Sequence, residues 1–115
     1  MIKRAGTITE QIRPQMFGGK GEVKFIHLLE NEEFQGKGRV FAHTIIKPGC
    51  SIGSHTHKGD IEAYYCLKGE GIYWDNGGET VLKPGDLAFT DNGQSHSVEN
   101  KGTEDLELIA LVLFC

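Results

Sequence analysis

The sequence predicts an all-β domain of sandwich or barrel type, and three observations carry that prediction. Short runs of β-branched, aromatic and aliphatic residues recur at intervals of about 8–12 residues, each closed by Gly, Pro, Asn or Asp. Glycine supplies 16 of the 115 residues, about twice the usual ~7%, so tight turns are many. Helical periodicity is confined to residues 9–16, where Pro14 allows a turn or two at most.

Taken in chain order, the runs predict strands over 22–30, 39–47, 61–67, 71–75, 79–83, 87–90, 96–100 and 105–114. The first carries Val23, Phe25 and Ile26, the second Val40, Phe41, Ile45 and Ile46, and the last the continuous apolar stretch that begins at Leu108. Lys47-Pro48-Gly49 and Lys83-Pro84-Gly85 place Pro and then Gly where a type II turn needs them. Asp75-Asn76-Gly77-Gly78 and Asp91-Asn92-Gly93 supply residues that accept positive φ, as hairpin loops require. Connections this short make the topology mostly antiparallel, and the repeated Lys-Pro-Gly turn suggests two similar halves. Phe17-Gly18-Gly19-Lys20-Gly21 lacks the remaining spacing of a phosphate loop and a following helix, so it reads as a plain turn.

Size and charge exclude several function classes. A chain of 115 residues is one domain, with residues 1–20 as an N-terminal extension packing on the barrel or on a partner. Lys plus Arg number 12 against 16 Asp plus Glu, a net charge of -4, with no basic cluster to follow a phosphate backbone; nucleic acid is not expected as a partner. No apolar run approaches the ~20 residues of a spanning helix, and the N-terminus has no signal-peptide core, so no membrane partner is expected either. Cys50, Cys66 and Cys115 are odd in number, far apart and without a CxxC, which suits a reducing, cytoplasmic setting.

The run 61–67 puts Glu62, Tyr64 and Cys66 on one face and Ile61, Ala63, Tyr65 and Leu67 on the other. A small barrel has one interior, so the second apolar face needs other cover, from the N-terminal segment or from a second subunit. The expectation is a homodimer.

The chemistry-bearing residues are histidines. His55 and His57 stand at i and i+2 and project from one side of an extended segment, Glu62 follows five residues later, and His96 lies at the end of another run. Imidazole nitrogens with one carboxylate suit a divalent transition ion, and positions left open by four protein donors are what a catalytic metal site requires. The His-x-His spacing alone also fits a pair of surface histidines.

Gly49-x5-His55-x-His57-x4-Glu62-x6-Gly69 resembles the first signature motif of the cupin superfamily at every specified position. Gly85-x5-Asp91-x-Gly93-x2-His96-x3-Asn100 resembles the second, with Asp91 where proline is usual; Asn92-Gly93 can still make the turn. The spacer from residue 70 to residue 84 is short, as in compact single-domain microbial cupins. The resemblance implies a small antiparallel jelly-roll β-barrel holding a divalent metal (Mn, Fe, Ni or Zn) through His55, His57, Glu62 and His96. It also implies action on a polar, oxygen-chelating small molecule such as a sugar, sugar phosphate or carboxylate, by isomerase, lyase or dioxygenase chemistry. A metal-containing module that binds its ligand without converting it is the alternative.

Alternation places Tyr64 and Cys66 on the same wall as Glu62. Tyr64 is the candidate proton relay or oxyanion donor, against a core tyrosine bonded to backbone. Cys66 reads as a small buried hydrophobe. His43 is the candidate general base, although both faces of its run are apolar and its facing stays open. His27 reads as peripheral, Trp74 as core filler or stacking surface, and Lys58 and Asp60 as a solvated loop at the barrel mouth.

Overall fold

Alternating apolar residues over most of the chain are sorted onto two antiparallel sheets in the computed structural model, which describes residues 1–115. The strands are β1 (Glu10–Pro14), β2 (Glu22–His27), β3 (Gly38–Ile46), β4 (Ser51–Thr56), β5 (Asp60–Lys68), β6 (Gly71–Asp75), β7 (Gly78–Leu82), β8 (Leu87–Thr90), β9 (Ser95–Glu99) and β10 (Leu106–Phe114). A six-stranded sheet has the order β1-β2-β3-β10-β5-β8 and a four-stranded sheet the order β4-β9-β6-β7. They form a jelly-roll sandwich and do not close into one continuous hydrogen-bonded barrel.

The core lies between the sheets. Ala42, Thr44 and Ile46 of β3, Leu106, Leu108, Ala110 and Val112 of β10, and Tyr64 and Cys66 of β5 point inward, against Ile52 of β4, Val98 of β9 and Tyr73 of β6. Each large aliphatic side chain withdrawn from water contributes roughly 1.5–3 kcal/mol. Both Lys-Pro-Gly turns close as expected: the Cys50 amide donates to the Lys47 carbonyl at 3.0 Å and Asp86 to Lys83 at 2.9 Å. Gly49 and Gly85 supply the positive φ of +82° and +90° that the turns demand.

Two elements differ from the sequence expectation. Residues 9–16 do not make a helical turn: Glu10–Pro14 is an edge strand paired with β2, followed by a short 3-10 turn at Met16–Gly18. Pro14 is tolerated because it ends a strand paired on one side only. Residues 51–56, assigned to no strand from the sequence, form β4. Its residues Ser-Ile-Gly-Ser-His-Thr show no apolar alternation, and pairing with β9 makes it a strand.

The outward face of the large sheet is apolar. Tyr65 and Leu67 of β5 are 45% and 44% exposed, and Leu87 and Phe89 of β8 are 62% and 51% exposed. Tyr65 lies opposite Leu87 and Ala63 opposite Phe89 across the strand pair, so these side chains form one patch. Residues 10–14 sit at the other edge of the sheet, beyond β2, and do not cover it.

Candidate metal centre

The pairing of β4 with β9 sets His55 directly opposite His96. His57 follows β4 by one residue and is held to the β8–β9 loop by its amide, which donates to the Gln94 carbonyl at 2.9 Å. Glu62 comes from β5 in the other sheet, so the four side chains meet between the two layers. Their ligand atoms all lie within 4.8 Å of one another. Nε2 of His96 is 3.0 Å from Nε2 of His55 and 3.1 Å from Nε2 of His57, while Glu62 Oε1 lies 2.9 Å from Nε2 of both His57 and His96.

Each ring is oriented from behind through Nδ1. Nδ1 of His55 donates to the Gly53 carbonyl at 2.8 Å, and Nδ1 of His57 donates to Asp60 Oδ1 at 2.7 Å. Nδ1 of His96 meets the hydroxyls of Tyr73 and Thr90 at 2.9 and 2.8 Å. A carbonyl or a carboxylate only accepts, so His55 and His57 carry their protons on Nδ1 and turn Nε2 lone pairs toward each other and toward a carboxylate. One proton on His96 cannot satisfy that many acceptors. A cation satisfies all of them, so the donor set fits a divalent metal, and outer partners of this kind raise ligand basicity and affinity.

Electrostatics follow from these contacts. Burial pushes the Glu62 carboxyl up, but its contacts with His55, His57 and His96, favourable when those rings are protonated, outweigh burial and hold the pKa well below the usual carboxylate range. His57 is raised first by the hydrogen bond that its protonated Nε2 makes to Glu62, with Asp60 adding to the effect against burial. His96 is lowered by burial, which outweighs the opposing Glu62 contact and is helped by repulsion from His55 and His57. Protons competing with the ion therefore go first to His57, whose raised pKa starts that competition above the ordinary ~6.5 of imidazole. Metal content after equilibration is expected to be full near about pH 8 and to fall as the solution is acidified through about pH 7 to 5; metal unchanged down to about pH 4 would contradict the assignment.

Tyr64 lies on the Glu62 wall, buried and stacked on His96 with ring centroids 5.0 Å apart. Burial raises its phenol well above 10, with the Glu62 charge acting in the same direction. His43 is not brought to the cluster: its neighbours Ala42 and Thr44 point inward, and its own ring lies on the outer side of the large sheet, bonding Glu107 at 2.7 Å. Cys66 is buried, its thiol raised by burial and turned to the Lys68 and Gly69 carbonyls, as a small hydrophobe is. Trp74 is half-buried under the Lys101 ammonium, 5.6 Å from the ring centroid.

Three residues beyond the predicted ligands matter here. Asp60 is no solvated loop residue: it is buried, bonds His57, and accepts from Nε of Arg39 at 3.0 Å. The His57–Asp60 spacing of i,i+3 was the available signal. Phe17 stacks on His55 with centroids 4.2 Å apart and planes within 14°. Its segment is seated by close backbone approach, since any Cβ at Gly53 would run into the Phe17 carbonyl. His27 is not remote: bonded to Gln11 at 2.8 Å, it lines the cavity that leads to the centre.

A jelly roll that holds three histidines and a glutamate between its sheets has the architecture of the cupins. A sequence model described as the cupin domain matches residues 42–113, and the chain belongs to the cupin family. An oxalate-binding protein of Thermotoga maritima is 47% identical to it over 113 residues, covering 98% of this chain and 93% of that protein. The crystal structure of a predicted oxalate decarboxylase from the same species is similar at a TM-score of 0.94 and 46% identity, over 100% of both chains. A protein of Thermus thermophilus shares the fold at a TM-score of 0.74 and 22% identity, over 98% of this chain and 96% of the other. No helix is long and apolar enough to cross a membrane.

Proposed function

We propose that this protein is a metal-dependent cupin enzyme acting on a small carboxylate that chelates through two oxygens. A divalent transition metal would be held by His55, His57, Glu62 and His96. The observation that carries the reading is the convergence of four metal-donor atoms within 4.8 Å, with the Nδ1 of each histidine ring already engaged. The printed names of the two Thermotoga maritima relatives, oxalate-binding protein and predicted oxalate decarboxylase, support a carboxylate over a sugar or sugar phosphate.

When bound, the ion supplies Lewis-acid polarisation of the chelated oxygens. The chain supplies the rest. Tyr64 keeps its proton because burial disfavours the phenolate, so it serves as a hydrogen-bond donor to a developing oxyanion, not as a base. His43 takes no part, since it lies on the other side of the sheet. The unpaired cysteines suit a reducing compartment, and a cytoplasmic location belongs to the same proposal.

Elemental analysis of the purified protein followed by oxalate addition tests this reading. We expect about one transition-metal ion per chain, saturable oxalate uptake, and loss of oxalate as its C–C bond breaks, with one proton taken up and one formate and one CO2 released per oxalate. Protein that binds neither metal nor carboxylate would overturn it. Oxalate bound and recovered intact would instead support the non-catalytic binding module, the reading favoured by the name of the oxalate-binding relative.

The apolar patch of β5 and β8 belongs to the proposal too, as the face of a homodimer. A two-fold interface needs a self-complementary surface, and an apolar patch meets a copy of itself without leaving charges unpaired. Light scattering is expected to give the mass of two chains for the wild type and of one chain for the Leu87→Glu, Phe89→Glu double variant. A monomeric wild type at micromolar concentration would refute the pairing.

A further inference from the structure

The cavity in front of the metal centre has a floor and a rim of different chemistry. His55, His57, Glu62 and Tyr64 form the floor, while Arg13 of β1 and Arg39 of β3 reach its wall from the large sheet. Its volume is about 60 Å³, several times the ~10–15 Å³ that one water needs, which suits a small ligand. Lys58, the one cation that the sequence places at the mouth, does not line it.

Arg39 spends its Nε–H on Asp60 and lines the cavity with the rest of its side chain. Asp60 is thereby neutralised from one side by Arg39 and bonded from the other by His57. The local charge count is informative. A divalent ion and two guanidinium groups face two carboxylates, Glu62 and Asp60, leaving two positive charges in a small space with apolar walls at Phe17 and Met16. Guanidinium groups recognise carboxylate oxygens in a planar, two-pronged fashion that a lysine cannot reproduce.

We propose that Arg13 and Arg39 make this cavity selective for a compact dianion, a dicarboxylate of oxalate size. One end of it chelates at the metal centre, and the guanidinium groups receive its outer oxygens. The inference rests on the metal-and-carboxylate reading above and adds the residues that set its selectivity. A monoanion such as acetate reaches the ion but leaves both arginines unused.

Calorimetric titration of the metal-loaded protein with oxalate and with acetate tests it, with metal content measured for every variant. Arg39→Gln and Arg13→Gln are each expected to weaken oxalate at least about tenfold while changing acetate by less than about threefold. Arg39→Lys is expected to recover only part of the loss, because the forked geometry is gone. Arg13→Gln touches no partner of a metal ligand, so it decides the matter even where Arg39→Gln disturbs Asp60 and lowers metal content. Oxalate affinity in Arg13→Gln equal to the wild type, or acetate weakened as much as oxalate, overturns the selectivity proposal alone. Wild type that loads metal and takes up no oxalate overturns the functional reading together with it.

Discussion

Replacing His96 with alanine is expected to empty the metal centre while leaving the fold standing. His96 contributes the nitrogen that lies within about 3 Å of three of its partners, at 3.0 Å from His55, 3.1 Å from His57 and 2.9 Å from Glu62. Removing even an outer hydrogen-bond partner of a ligand typically costs about 10–100-fold in metal affinity, and removing the ligand itself costs more. Metal per chain after dialysis should fall below about one tenth of the wild-type value. The Tyr73 and Thr90 hydroxyls behind the ring stay bonded to each other at 2.8 Å, so neither is stranded and the circular dichroism spectrum should be retained. His43→Ala is the matched control: its partner is Glu107 on the outer side of the sheet, and it should keep its metal. Full metal retention in His96→Ala would remove the basis of the assignment.

The second large effect is on stability and falls on Asn100. Its Nδ2 donates to the Ile46 carbonyl at 2.8 Å and to the Glu104 carbonyl at 2.7 Å, and its Oδ1 accepts from the Gly102 amide at 2.9 Å. Its main chain also pairs with the C-terminal end of the first Lys-Pro-Gly turn, through Gly49 at 2.8 Å and Cys50 at 3.0 Å. One fully buried residue thus joins the end of β3, that turn and the β9–β10 loop. Asn100→Ala leaves the three side-chain partners without a mate, and Ile46 is in the core. We expect a loss of about 2–4 kcal/mol, a large share of the 5–15 kcal/mol typical of a domain. Chemical denaturation measures it, and a change below about 0.5 kcal/mol would show that water or neighbours satisfy those groups instead.

Much of the ladder is written in side-chain alternation. In β5 the inward set Glu62, Tyr64 and Cys66 is readable from residue identity, and both Lys-Pro-Gly turns announce themselves by their glycines. β4 escapes because a strand that carries metal ligands is polar, and a glycine whose Cβ would strike the Phe17 carbonyl interrupts it. β1 escapes because all five of its residues are exposed and only the register with β2 makes it a strand. The four candidate ligands were legible since motif spacing encodes them. Asp60 and Arg39 were not, because the bond between them joins residues 21 positions apart and carries no local pattern. Facing decides His43 in the same way: two apolar faces look alike until the partner sheet is known.

All four metal-donor residues fall inside the stretch 42–113 that defines the family. Arg13, Phe17 and Arg39, which close around the space in front of them, fall outside it. The residues that could hold an ion and the arginines proposed to select its ligand are thus encoded in separate portions of the chain. A leading portion redrafted to suit a different guest would leave the four candidate donors in place.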